Sequence, residues 1–244
     1  MNPSGGLPWH WRAWRSQGRW RGAREQIEQW LASVNPARSE LLVLGASAGW
    51  MLPAAWLARF ERVDLWDIDP WAPWLFNRRH GAALKAAGVR WTYHRADALA
   101  NLPALLASHP QAAVYCDNLL GQLRFHAPAG QAGVEEVEQR LAAITRILQG
   151  REWGSVHDLL SGPALGPPSE PPAMRRRRRK DAGPPASDPW LRSLLPSGPW
   201  LDHLTDRTFP VGTAVHDIAW PFKPGYWHWL QAGWVHAPAP KISP

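Results

Sequence analysis

The stretch that most constrains this chain is Leu41 to Pro70, LLVLGASAGWMLPAAWLARFERVDLWDIDP. Glu40 to Leu44 opens it with a continuous apolar run, the pattern of a central parallel strand buried on both faces. Gly45, Ser47 and Gly49 then mark a turn, Trp50 to Arg59 a helix, and Val63 to Asp67 a second strand that ends in acid. In that order these elements build a crevice at the carboxyl end of a parallel sheet. Leu41 to Ala58 is also an uncharged run of membrane-spanning length. Gly45, Ser47, Gly49 and Pro53 interrupt it where a strand-turn-helix needs them, which excludes a membrane role for the segment.

Strands and helices continue to alternate downstream. Pro70 to Ala87 reads as a helix and Val89 to Tyr93 as a third strand, with Asp97 just beyond it. Leu102 to Ser108 is a short helix and Ala112 to Cys116 a fourth strand. Val134, Val137, Leu141, Ile144 and Leu148 line one face of a longer helix, and Trp153 to Leu160 gives a fifth strand. Upstream, Ile27, Trp30, Leu31 and Val34 place a short amphipathic helix at Arg24 to Val34, closed by Asn35-Pro36. The aromatic tail, Thr208 to His236, is arranged around Pro-Gly turns as a hairpin. The expected class is α/β, a Rossmann-type doubly wound, mostly parallel sheet with a C-terminal antiparallel hairpin.

Four segments follow from the composition along the chain. Residues 1–35 form a basic Trp/Arg-rich arm and helix, and 36–161 the Rossmann-type core. Residues 162–189 join many prolines to RRRRRK with few apolar residues, the pattern of a disordered insertion; 190–244 complete the core domain. The formal net charge of +7 is uneven: Arg12, Arg15, Arg19, Arg21 and Arg24 with Arg175 to Lys180 carry eleven positive charges, leaving about −4 elsewhere. The two basic appendages are therefore the places where RNA or an acidic partner would bind weakly. The single cysteine, Cys116, excludes an intrachain disulfide and a cysteine-rich zinc site, and His203, His216, His228 and His236 lack metal-ligand spacing, so no metal is expected. MNPSGGLPWHWRAWR has no apolar leader core, and a cytoplasmic location is expected.

The turn and the acids carry a family likeness. VLGASAGW, with Gly45 and Gly49, resembles the first motif of class I S-adenosylmethionine-dependent methyltransferases, although Ser47 stands where a middle glycine is common. Asp67 in VDLWDIDP matches that family's acid at the end of the second strand, and Asp97 in HRADAL its acid after the third. The resemblance covers residues 36–160 and implies a cofactor, S-adenosylmethionine, and an unidentified methyl acceptor. It implies that Gly45, Ser47 and Gly49 cradle the cofactor, that Asp67 accepts from its ribose hydroxyls and Asp97 from its adenine amine. Asp117 and Asn118, after the fourth strand, would face the acceptor as the catalytic pair. The physical basis is direct: backbone N–H groups at a side-chain-free turn meet an anionic group, and carboxylates accept hydroxyl protons.

Two alternatives share the same letters. Gly45-Ala46-Ser47-Ala48-Gly49 also matches G-x-S-x-G, the nucleophile elbow of serine hydrolases, with Asp202 or Asp206 and His203 or His216 as partners of Ser47. That elbow arrives after one strand only and no HGGG-type segment precedes it. The other alternative is a catalytically inactive methyltransferase-like binding or scaffold protein, in which the basic arms recruit the partner.

Overall fold

Strand order in the computed structural model is β3-β2-β1-β4-β5-β9-β8-β6, with a short β7 paired to β5. The model describes residues 6–164, 172–180, 188, 189, 191 and 199–237. The strands are β1 (Glu40–Leu44), β2 (Arg62–Asp67), β3 (Arg90–Arg95), β4 (Ala113–Asp117), β5 (Trp153–Pro163), β6 (Arg175–Arg178), β7 (Leu201–Asp202), β8 (Ala214–Lys223) and β9 (Tyr226–Val235). Strands β1 to β5 pair in parallel, and β9 returns antiparallel to β5 before β8 and β6 extend the sheet. This is the expected Rossmann-type sheet with an antiparallel C-terminal end. The sense of winding reverses between β1 and β4, so the crevice opens at the ends of those strands.

Both faces of the sheet are covered. Leu41 and Val43 of β1 face α2 (Gln17–Ser33), where Trp20, Ile27, Trp30 and Leu31 are buried. Leu42 and Leu44 face α6 (Leu102–Ser108), α7 (Leu119–His126) and α8 (Gln131–Ile147), with Leu105, Leu120, Val137 and Leu141. This alternation explains the uninterrupted apolar run of β1.

The N-terminal arm departs from the sequence expectation. It is two helices, α1 (Gly6–Arg15) and α2; Trp11 and Trp14 are exposed, while one stripe of it is core: Ala13, Trp20, Ala23 and Ile27 are all buried. They recur at helical spacing, and the arginines between them point outward, which hid the buried stripe within a strongly basic segment. The Arg run also differs. Arg175–Arg178 form a strand on β8 in place of a disordered stretch. Arg175 and Arg177, alternate residues of β6, both reach the carboxylate of Asp217, which is fully buried. The rest of 162–189 lies largely outside the described residues.

The helix expected over Trp50 to Arg59 is a single turn, α3 (Ala54–Leu57). The preceding chain is held by the turn itself. Gly49 has φ +64° and its carbonyl accepts His80 Nε2 at 3.1 Å. His80 arrives there because α4 (Ala72–Phe76) and α5 (Ala82–Ala86) are joined through a π-helical turn, Asn77–Gly81. No helix among the described residues is long and apolar enough to cross a membrane.

Candidate functional site

A cavity of about 730 Å³ opens at the carboxyl ends of β1, β2 and β4. Gly45, Ser47, Asp67, Asp97, Asp117 and Asn118 all line it, so six of the seven residues singled out from the sequence converge on one space. The seventh, Gly49, does not line it; it closes the turn against His80.

The turn is built around one carboxylate. Asp67 Oδ2 accepts the Ser47 N–H at 2.8 Å, and Oδ1 accepts the Asp69 N–H at 2.8 Å. Ser47 is left-handed at φ +44°, a conformation this hydrogen bond and Tyr93, whose hydroxyl donates to the Ser47 carbonyl at 2.7 Å, hold in place. Burial pushes the Asp67 carboxyl up, against those backbone hydrogen bonds. Of the roughly four lone-pair positions on the carboxylate, those not met by backbone N–H groups remain open. Gly45 has φ +75°, and a Cβ there would lie 2.9 Å from Leu119 Cβ and 3.2 Å from the Asp117 carbonyl. Only glycine lets β1 and the start of α7 come this close.

The three other predicted residues differ in freedom. Asp97 is exposed at the rim, and its Oδ1 accepts the N–H groups of Leu99 and Ala100, at 2.9 and 3.1 Å. Asp117 lines the cavity with no hydrogen bond to its carboxyl among the described residues. Burial, reinforced by the charge of Asp67, pushes Asp117 up to about 8. Asn118 is left-handed, φ +52°, and its side chain is engaged: Nδ2 donates to Asp158 Oδ2 at 3.2 Å and Oδ1 accepts the Asp158 N–H at 3.0 Å. Asn118 therefore braces β4 to β5 while it borders the cavity.

Helix α1 closes one side. Trp9 donates its indole N–H to Ser47 Oγ at 3.0 Å, and His10 Nε2 lies 3.2 Å from Asp69 Oδ2. Trp50 Nε1 donates to His10 Nδ1 at 3.0 Å. These contacts correct the hydrolase reading. The partner of the Ser47 hydroxyl is an indole N–H, which cannot accept a proton. His203 is held by the Gly121 carbonyl at 2.8 Å and Ser161 Oγ at 2.9 Å, and His216 sits on β8 beside Trp30.

The far wall comes from residues to which the sequence pattern assigns no site role: Trp20, Trp220, Phe222, Tyr226 and His228. Trp20 donates to the Phe222 carbonyl at 2.9 Å and packs edge-on to Trp220 at 5.0 Å. His228 Nδ1 lies 2.7 Å from Asp158 Oδ1. Asp158, His203 and His228 bring ligand atoms within 4.8 Å of one another, a grouping that the spacing of the histidines in the chain did not suggest. In His203 both ring nitrogens are hydrogen-bonded, to Ser161 and Gly121, so it has no ring nitrogen left over for a metal. The alternation of Tyr226, His228 and Leu230 along a cavity-facing strand was the available signal, obscured by apolar residues at the positions between.

No family model matches the chain, and no curated protein does. Among solved structures it is similar to the N-methyltransferase NodS from Bradyrhizobium japonicum WM9 in complex with S-adenosyl-L-homocysteine, at 15% identity and TM-score 0.38, covering 59% of this chain and 65% of that one. It is similar to the rRNA methyltransferase aviRa from Streptomyces viridochromogenes, at 17% identity and TM-score 0.36 over 64% and 79% of the two chains. An O-methyltransferase family protein from Burkholderia thailandensis matches 93% of this chain and 60% of its own, at 12% identity and TM-score 0.45. The chain thus spans less than two thirds of the first and third. At these scores the likeness carries no weight for activity, which has to rest on the site's own geometry.

Proposed function

We propose that this chain is a methyltransferase that uses S-adenosylmethionine. The observation that carries the reading is the convergence of a glycine turn, the β2-terminal Asp67, the post-β3 Asp97 and the post-β4 Asp117 on one cavity at the carboxyl end of a parallel sheet. The donor set fits the group. Asp67 keeps lone pairs for a vicinal diol, Asp97 keeps Oδ2 for an amine, and the carboxyls of Asp67, Asp69 and Asp117 form an acidic wall suited to a sulfonium cation. When bound, S-adenosylmethionine supplies an electrophilic methyl group.

The protein's part is positional. Asp67 fixes the Ser47 turn and presents its outer lone pairs to the ligand; Asp117 supplies negative charge near it as the carboxyl ionises. Trp9 and Trp20 close the cavity against water. Such positioning suits methyl transfer, which depends on in-line alignment. The acceptor occupies the remaining space between Asn118 and the aromatic wall.

Equilibrium dialysis with methyl-labelled S-adenosylmethionine tests the reading. Asp67→Ala should abolish retention of label, whereas Asp97→Asn should weaken it without abolishing it. Undiminished retention by Asp67→Ala would remove the ribose assignment, and no retention by the wild type would remove the cofactor.

A further inference from the structure

We propose that His228, oriented by Asp158, is the catalytic base of this site and that its acceptor is an aromatic hydroxyl; the inference rests on the methyltransferase reading above. Three observations carry it.

The first is the dyad itself. Asp158 lies on β5 at the point where its register with β9 shifts, between Asp158 and Leu160. A bulge there re-aims the side chain out of the regular alternation. Its carboxylate is fully buried and meets His228 Nδ1 at 2.7 Å on one oxygen and Asn118 Nδ2 at 3.2 Å on the other. Gly121 allows this approach, because a Cβ there would lie 2.8 Å from the Asp158 nitrogen. Although burial opposes ionisation, the hydrogen bonds from His228 and Asn118 hold the Asp158 carboxyl below its usual range. An ionised carboxylate on Nδ1 fixes the proton on that nitrogen and leaves the lone pair on Nε2.

The second is the direction of that lone pair. His228 lines the cavity, and Nε2 makes no hydrogen bond among the described residues. The other polar groups around it are spoken for: His203 by Gly121 and Ser161, and the Tyr226 hydroxyl by Ser161 Oγ at 3.2 Å. Lys223 lies over the Tyr226 ring at 5.0 Å.

The third is the shape and chemistry of the space in front. Phe222 lies 4.7 Å from the His228 ring and Trp220 5.1 Å from it. Trp9 and Trp20 stack on Phe222, at 6.1 and 5.9 Å. An aromatic wall of this kind receives a flat ring. A hydroxyl on that ring is a weak nucleophile until it is deprotonated, which is the service a carboxylate-backed imidazole supplies. In the transfer the acceptor oxygen forms its bond to the methyl carbon as the carbon–sulfur bond breaks with its electron pair left on sulfur. The hydroxyl proton passes to His228 Nε2, and from there to water.

The test uses 4-nitrophenol, whose anion has its own visible absorption band, with the full-length protein saturated in S-adenosylhomocysteine. At a pH where the free phenol is largely un-ionised, the wild type should give a saturable phenolate band. His228→Gln should bind S-adenosylhomocysteine as the wild type does and give no band. Asp158→Asn should keep nitrophenol binding but sharply reduce the ionised fraction, since the imidazole loses the carboxylate that orients it and stabilises its protonated form. A merely structural Asp158 would not separate binding from ionisation. Phe222→Leu should weaken nitrophenol binding with cofactor affinity unchanged, and should His228→Gln fail to fold, an unchanged phenolate band in Asp158→Asn overturns the inference. Absence of a band in wild type that binds S-adenosylhomocysteine, or an unchanged band in His228→Gln, overturns this inference alone. Failure of the wild type to bind S-adenosylhomocysteine overturns the methyltransferase reading beneath it as well.

Discussion

Trp9 and Ser47 are joined by an indole-to-hydroxyl hydrogen bond of 3.0 Å that ties the first helix to the glycine turn. The bond couples an element far from the βαβ unit to the turn on which the cofactor assignment rests. Trp9→Phe keeps the ring in the aromatic wall and removes the donor. A hydrogen bond of this kind contributes about 0.5–1.5 kcal/mol net, so S-adenosylhomocysteine affinity should fall roughly two- to tenfold. Calorimetry on both proteins checks it; an unchanged affinity would show that α1 does not support the turn.

Gly45 has no room for a side chain. At φ +75°, and with Leu119 Cβ 2.9 Å from where a Cβ would be, Gly45→Ala meets both backbone strain and a clash. The left-handed conformation alone costs an L-residue roughly 1–2 kcal/mol. Denaturant unfolding should show at least that loss, together with weakened cofactor binding. A fully stable Gly45→Ala protein would mean that β1 and α7 separate without cost.

Asp117 gives a pH signature. Its carboxyl titrates near about 8 because burial and the neighbouring Asp67 charge favour the proton. The folded state therefore holds a proton that the unfolded chain releases. The associated stability is fully present below the ordinary carboxyl range and is lost as pH rises through about 8. Asp117→Asn should thus melt higher than the wild type above that pH, and the difference should narrow in acid. Binding has the opposite slope: S-adenosylmethionine should bind more tightly as Asp117 ionises, more so than S-adenosylhomocysteine, which lacks the sulfonium charge. Parallel slopes for the two ligands would remove Asp117 from the vicinity of the cation.

The arginine strand separates by parity. Arg175 and Arg177 neutralise Asp217, whose side chain has no exposure, while Arg176 and Arg178 face outward. Replacing the first pair with Gln leaves a buried unpaired carboxylate and should cost about 3–5 kcal/mol. Replacing the second pair should change stability by no more than about 0.5 kcal/mol. Chemical denaturation of the two double variants distinguishes this strand from a solvated charge run, which would show no such contrast.

What was legible in the sequence followed from periodicity. The β1 run, the turn, Asp67 and the α8 stripe were read because strands buried on two faces and helices buried on one leave distinct patterns. Asp97, Asp117 and Asn118 were placed at the cavity because strand ends in such a sheet share one edge. The arm and the arginine strand were misread because composition masked a period: Ala13, Trp20, Ala23 and Ile27 lie among arginines, and alternate residues of RRRR are chemically identical. The short α3 was overestimated, since Pro53 starts the helix later than the apolar residues suggest. The Asp158–His228 pair, 70 residues apart in the chain, is created by β9 inserting beside β5, which no local pattern announces.

The central claim is that the cavity at the carboxyl ends of β1, β2 and β4 holds S-adenosylmethionine. Its most direct test is calorimetric titration of the full-length protein with S-adenosylmethionine and with S-adenosylhomocysteine. The account predicts saturable binding of both at a single site, lost in Asp67→Ala. Heats indistinguishable from dilution for both ligands would contradict it.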